Sequence, residues 1–127
     1  MDVVTNQDLE LLTRERTGIC VSLYLRTHPS GSEQDAMNLN NMLAAVQEEL
    51  TAQGMDRQAV RSFVRPGRAL VSDHAFWQAP GRGLALFLAD GFFRSYRVPI
   101  AFDDTLVAAD RFLFNPLLPL LTEETDY

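Results

Sequence analysis

The sequence has no lysine, one cysteine and no long apolar segment, and each absence excludes a class of function. Without lysine there can be no Walker-type phosphate loop, no Schiff-base lysine and no lysine general base. The single cysteine, Cys20, cannot form an intramolecular disulfide. The longest apolar run, Leu84 to Ala89, has six residues, whereas a membrane-spanning helix needs about 20. We therefore expect no membrane partner.

The charge balance is acidic, with 17 acidic residues, 11 basic residues and a formal net charge of −6. This balance disfavours a general nucleic-acid binder, which needs a basic surface. The first residues, Met1 to Val4, are acidic rather than basic and no apolar stretch follows them, so we expect no signal peptide and a cytoplasmic protein. A 127-residue chain that is 46% hydrophobic fits one domain around a single core.

The first half of the chain predicts a helix, a strand and two further helices. Thr5 and Asp8 form a capping box that begins the first helix. The strand from Ile19 to Arg26 has large side chains on both faces, so we expect it to be an interior strand of the sheet. A second capping box, Ser32 with Asp35, precedes an apolar stripe from Ala36 to Leu50, which predicts a long helix packed on the sheet. A third helix follows the loop at Gly54-Met55, antiparallel to the second, and is interrupted at Pro66-Gly67 by a kink or a break into two helices.

The second half predicts strands. Leu84 to Ala89 is typical of a strand buried on both faces, and Asp90-Gly91 predicts a hairpin with a type I′ turn. Phe92 to Val98 is the return strand, and Thr105 to Ala109 is a third β segment. The predicted fold class is α/β, with α+β as an alternative. Its small mixed sheet has a parallel pair joined by a helical crossover, the hairpin, and helices packed on it.

The C-terminal part suggests a domain boundary. Leucines interrupted by prolines at 116–121 would prefer to be covered, and the acidic residues 122–127 are typical of a linker. We therefore expect one domain over residues 1–121 and the start of a linker to following domains at 122–127. The uncovered leucines would form an apolar patch that contacts the next domain of the same polypeptide.

Three blocks resemble a known family. They are Val21–Gly31 (VSLYLRTHPSG), Gly83–Pro99 (GLALFLADGFFRSYRVP), and Asp110-Arg111-Phe112 running into Pro116–Leu121 (PLLPLL). Their order and spacing are similar to the N-terminal domain of bacterial homologues of archaeo-eukaryotic peptide-chain release factors. The resemblance implies a longer cytoplasmic protein, related to release factors and Pelota-like rescue proteins, that acts at the ribosome in termination, rescue or dormancy.

The catalytic and decoding motifs of true release factors do not occur in this chain. There is no Gly-Gly-Gln tripeptide and no Asn-Ile-Lys-Ser motif. Neither peptidyl-tRNA hydrolysis nor stop-codon reading can therefore be transferred to any residue here. We expect a non-catalytic accessory domain that docks on the ribosome or on the other domains of its own polypeptide, with no catalytic residue and no cofactor.

Several arginines near aromatic residues suggest an RNA-binding surface. Arginine and exposed aromatic rings together suit RNA, because they clamp phosphates and stack on unpaired bases. Regular alternation places Arg94 and Tyr96 on one face of the return strand and Arg97 on the other. The candidate RNA- or partner-binding residues are Arg94, Tyr96, Arg97, Arg111, Arg26 and His28. The alternative is that the arginine stems cover a half-buried sheet while their charged ends stay in water.

Two other hypotheses come from different functional classes. A small hydrolase or nucleotide-processing enzyme would have a site at His28, Asp110 and Arg111, which meet only if the first strand lies beside the last. Alternatively, the stripe from Ala36 to Leu50 would be the seam of a homo-oligomer. His28 and His74 lack metal-ligand spacing, so no metal site is expected, and the strand position of Cys20 predicts a buried, inert thiol.

Overall fold

The computed structural model describes residues 4–14, 16–28, 33–78 and 81–120. They form helices and strands and a short 3₁₀ turn at Asn115–Leu117, after which residues 118–120 are helical. The elements are α1 (Asn6–Thr13), β1 (Cys20–Arg26), α2 (Glu33–Ala52), α3 (Arg57–Val71), α4 (His74–Trp77), β2 (Gly83–Ala89), β3 (Phe92–Val98) and β4 (Thr105–Ala109).

The four strands form one sheet in the order β3-β2-β1-β4, and every neighbouring pair is antiparallel. The combination of a small sheet, a hairpin and helices packed on the sheet is confirmed, and β1 is an interior strand as predicted. The predicted parallel pair is wrong, because Arg26 at the end of β1 lies opposite Gly83 at the start of β2. After β1, α2 leads the chain away from this end of the sheet and α3 leads it back. The strand β2 therefore begins at the end of the sheet where β1 finishes. The wholly antiparallel sheet corresponds to the α+β alternative.

One face of the sheet is covered by α2, α3 and α4. Val21, Leu23 and Leu25 of β1 belong to the same buried cluster as Leu39, Leu43, Val46 and Leu50 of α2. These leucines are fully buried, and Val46 is 1% exposed. The apolar stripe of α2 therefore packs on the sheet, as predicted. Because the stripe is inside the core, the hypothesis that it is the seam of a homo-oligomer is wrong.

The opposite face is covered by α1 and by the segment after β4. Tyr24 and Phe87 point into this second cluster together with Leu12 of α1 and Phe112. The Tyr24 hydroxyl donates to the backbone oxygen of Leu113, whose own N–H donates to Ser22 Oγ at 2.8 Å. These bonds hold the C-terminal segment on the sheet.

Part of the proline-leucine segment, residues 116–121, packs on the sheet of this domain and is not left uncovered for a following domain. Leu117 is 1% exposed and Leu120 packs against the second cluster, which corrects the expectation that these leucines are uncovered. Leu118 remains exposed at 38%. Leu121 and the predicted linker at 122–127 lie outside the described residues.

Several local predictions can be compared with the structure. The capping box is confirmed, because Thr5 N donates to Asp8 Oδ2 at 2.8 Å and Asp8 N donates to Thr5 Oγ1 at 3.2 Å. The partner expected for Asp35, Ser32, lies outside the described residues. The hairpin between β2 and β3 is confirmed, but its turn is not type I′. A type I′ turn needs a positive φ at both turn residues, and of Asp90 and Gly91 only Gly91 has one, 71°.

The third helix continues through its proline. Pro66 lies inside α3, which ends at Val71, so the predicted break into two helices is wrong. Proline removes the bond to the carbonyl of Ser62, four residues earlier. Pro66 and Ser62 are both exposed, so water can satisfy that carbonyl. No helix in the described part of the chain is long and apolar enough to cross a membrane.

Candidate nucleic-acid interface

The sheet separates the arginines of β3. Arg94 shares the α1 side of the sheet with Phe92, and its guanidinium lies 5.1 Å from the centroid of that ring. Arg97 is on the helical side, where its guanidinium lies 5.3 Å from the ring centroid of Phe76. The alternation predicted for β3 is therefore correct, and these two arginines do not share a surface.

Tyr96 is not an exposed stacking platform. Its side chain is 5% exposed, it packs edge-on against Phe87, and its hydroxyl donates to Asp8 Oδ1 at 3.0 Å. The tyrosine thus ties β3 to the start of α1. An RNA base cannot stack on this ring without displacing that contact, so the predicted arginine–aromatic surface loses its aromatic member.

The remaining predicted residues lie at two ends of the sheet. Arg26 is exposed at the end of β1, and its backbone N–H donates to Asp104 at 3.2 Å. His28 follows in the chain, and both its backbone N–H (2.8 Å) and Nδ1 (2.9 Å) contact the carboxylate of the fully buried Asp35. This contact fixes the connection between β1 and α2. Arg111 follows β4 and forms an exposed ion pair with Asp110 at 3.6 Å.

The hydrolase hypothesis is wrong on geometry. Its condition is met, because β1 and β4 are neighbours, but they are antiparallel and Cys20 lies opposite Ala109. Asp110 is therefore near the start of β1, while His28 lies beyond its end. At about 3.3 Å per residue, eight residues separate the two side chains by on the order of 25 Å, so they cannot form one site.

No metal or thiol chemistry is indicated in the described residues. They contain no group of three or more histidine, cysteine, aspartate or glutamate residues arranged to hold a metal ion. Cys20 is 2% exposed, and its thiol faces the backbone oxygen of Asp110 at 3.8 Å. Burial raises the pKa of this thiol above its usual value. The prediction of a buried, inert cysteine is thus supported.

A row of exposed arginines on α3 forms a basic surface of the fold. Arg57, Arg61 and Arg65 follow one another at four-residue spacing, and all three are exposed. Four residues of helix rise about 6 Å, so the three charges form a line along one side of α3. None of the three forms an ion pair with a described carboxylate. The helix itself contains four arginines and no acidic residue.

The fourth arginine of α3 has a structural role instead. The guanidinium of Arg68 donates to the side-chain oxygens of Asn40 and Gln47 on α2. These bonds join the two helices, which run antiparallel as predicted. We define the arginine row as Arg57, Arg61 and Arg65 only, since their charged ends are not engaged in this way.

Electrostatic interactions within the helix do not explain the arginine row. Like charges four residues apart repel each other by about 0.2–0.5 kcal/mol per pair in an isolated helix. Arg57 also lies in the first turn, which has no acidic residue, and a cation there opposes the helix dipole by about 0.3–1 kcal/mol. Glu48 of α2 lines the shallow groove beside Arg57 and Arg61, but it forms no ion pair with either. The electrostatics of the helix therefore do not favour the row.

The signal for the arginine row is present in the sequence. Arginine at 57, 61 and 65 is the periodicity of one helical face, and the whole segment 57–71 lacks aspartate and glutamate. The pattern of arginines beside aromatic residues does not include the row, since the exposed positions of α3 carry no aromatic side chain. No protein-family model matches the sequence, and no curated protein matches it. The geometry and the resemblance of the three blocks are thus the grounds for a functional proposal.

Proposed function

We propose that this domain is a non-catalytic docking module that binds RNA through the arginine row of α3. In this proposal it belongs to a release-factor-like cytoplasmic protein and contributes to ribosome attachment during termination, rescue or dormancy. The observation that carries the proposal is the line of three exposed arginines without a paired carboxylate among the described residues. The resemblance to bacterial release-factor homologues supplies the ribosomal context.

The chemistry of α3 favours phosphate contacts over base recognition. Between the arginines, its exposed positions carry small or uncharged side chains: Gln58, Ala59, Ser62, Pro66 and Ala69. With no ring for base stacking and no apolar patch, this surface suits the RNA backbone, which presents charge without sequence information. The net charge of −6 repels RNA as a whole, so we expect modest affinity that depends strongly on salt.

The direct test is co-sedimentation with bacterial ribosomes at low and moderate salt. The test variant replaces the three arginines of the row with glutamine. Its matched control replaces three exposed arginines outside α3, namely Arg26, Arg82 and Arg94, and so removes the same charge. We expect the row variant to lose pelleting and the control to retain it.

A salt titration makes the test quantitative. Each lost phosphate contact on single-stranded RNA lowers the slope of log K against log salt by about 0.7, so losing three contacts lowers it by about 2. If the control loses binding and the row variant keeps it, the strand arginines are the interface and the proposal is wrong. If the unaltered protein does not pellet at low salt, RNA docking by this domain is refuted.

A further inference from the structure

A cleft of about 810 Å³ lies on the other side of the sheet, between the end of α1 and the segment that follows β4. Three arginines line it: Arg14 and Arg16 after α1, and Arg111 after β4. Asp110 is the one acidic residue among the described residues that line it. The described residues that line the cleft thus carry a formal charge of +2, in a chain whose net charge is −6.

The guanidinium of Arg16 packs against aromatic rings, and no carboxylate in the described part of the chain forms an ion pair with it. Its guanidinium lies 4.1 Å from the ring centroid of Phe92 and 5.5 Å from that of Phe112. One terminal nitrogen donates to the backbone oxygen of Leu11 at 2.9 Å. Nε is buried and has no hydrogen-bond partner among the described residues. A partly buried guanidinium is costly, and an anion bound in the cleft would lower that cost through its charge.

The other charges of the cleft are available to a ligand. Arg111 pairs with Asp110 at 3.6 Å, but their side chains are 85% and 86% exposed. An ion pair this exposed contributes little and can exchange for a stronger anionic partner. Arg14 is also exposed. Three guanidinium groups around one cleft match a ligand with several negative charges, because each can donate to phosphate oxygens.

The cleft also offers an aromatic wall. Phe114 lines it and is only half-buried, whereas the ring of Phe112 is buried beneath. Pockets for small ligands usually measure about 300–1,000 Å³ and combine apolar walls with a few polar groups, and this cleft falls within that range. A planar ring against Phe114 and phosphates beside the arginines would use both features.

We propose that this cleft binds a phosphorylated nucleoside, with its phosphates at Arg14, Arg16 and Arg111 and its base against Phe114. The same chemistry is present in a free nucleotide and in the 5′-phosphorylated end of an RNA. The site is independent of the arginine row, because α3 packs on the opposite face of the sheet. Either proposal can therefore fail without the other.

Isothermal titration calorimetry of the whole chain with three probes tests the proposal. ATP carries both parts of the ligand, inorganic tripolyphosphate carries the charge alone, and adenosine carries the ring alone. We expect ATP to bind more tightly than tripolyphosphate and adenosine to give no measurable heat. Absence of ATP binding, or equal affinity for ATP and tripolyphosphate, would overturn the assignment.

Variants identify the site. Replacing the exposed Arg14 and Arg111 with glutamine should weaken ATP binding about tenfold or more, and Phe114→Leu should weaken ATP binding but not tripolyphosphate binding. Arg26→Gln, at the other end of the sheet, is the matched control, and the row variant of α3 should also bind ATP normally. Unchanged affinity in the Arg14/Arg111 variant would refute the site even if Arg16→Gln fails to fold.

A further comparison separates the two ligand sources. A trinucleotide RNA is titrated with and without a 5′ phosphate, in the unaltered protein and in the Arg14/Arg111 variant. Preference for the 5′-phosphorylated form, lost in the variant, supports the site with an RNA end as ligand. If ATP binding is lost in the variant and the trinucleotides do not bind, the site is supported with a free nucleotide as ligand.

Discussion

Replacing Gly83 with alanine should be among the most damaging small substitutions in this domain. Gly83 begins β2 and lies opposite both Arg26 of β1 and Val98 of β3. A Cβ atom there would lie 1.9 Å from the backbone oxygen of Ile100 and 2.8 Å from the ring of Phe102. The backbone oxygen cannot rotate away as a side chain would, so either residues 100–102 or the sheet must move. Overpacking of this kind costs about 3 kcal/mol.

Two other glycines provide matched controls. Gly91 has a φ of 71°, and a Cβ atom added there would have no neighbour within 4 Å, so alanine should cost only the left-handed backbone penalty of about 1–2 kcal/mol. Alanine at Gly67 would approach Leu43 Cδ2 at 2.9 Å. This flexible side chain can adjust, and the helix gains about 1 kcal/mol from the better helix former. We expect a change near zero at Gly67.

Urea unfolding followed by circular dichroism measures the free energy of unfolding of the three glycine-to-alanine variants. With a slope of about 1.5 kcal/mol per M, 3 kcal/mol lowers the midpoint of the Gly83→Ala variant by about 2 M. The expected order of destabilisation is Gly83, then Gly91, then Gly67. A Gly83→Ala protein whose unfolding free energy stays close to that of the unaltered chain would show that residues 100–102 do not pack against β2, and the arrangement of that face of the sheet would have to be revised.

Two further predictions test the two sides of the sheet. Burial raises the pKa of the Tyr24 hydroxyl above its usual value. Above about pH 10 the unfolded chain releases the hydroxyl proton while the folded protein keeps it, so the unfolding free energy should fall as the pH rises further. In urea melts from pH 8 to 11, the unfolding free energy of Tyr24→Phe should decline less steeply than that of the unaltered protein, and equal declines would contradict the prediction. At neutral pH the variant should be about 1 kcal/mol less stable, because it lacks the hydrogen bond of the hydroxyl. Leu43→Glu should unfold the chain, because Leu43 is fully buried in the core, and a folded variant of altered mass in sedimentation would instead restore the oligomer hypothesis.

Much of the local structure could be predicted from short stretches of sequence. The capping box needs only Thr5 and Asp8, the hairpin needs only two turn residues, and the burial of β2 on both faces follows from its uninterrupted apolar run. The faces of β3 and the helical stripe of α2 follow from the periods of two and 3.6 residues. The arginine row also belongs here, because a four-residue repeat within one helix is a local pattern.

The proposed nucleotide cleft, unlike the arginine row, depends on contacts that local patterns do not specify. The phenyl ring beneath Arg16 belongs to Phe92, on a strand far along the chain, and the third arginine of the cleft follows β4. His28 and Asp110 are at opposite ends of the sheet only because β4 pairs antiparallel with β1. Local patterns were therefore sufficient to assign α1, α2, α3, the strands and the apolar side chains on each face, whereas the short helix α4 was not predicted. Strand order and direction came from long-range packing, since the helices between β1 and β2 return the chain to the end of the sheet where β1 finishes. Burial of both faces of the sheet then brings α1 and the C-terminal segment together.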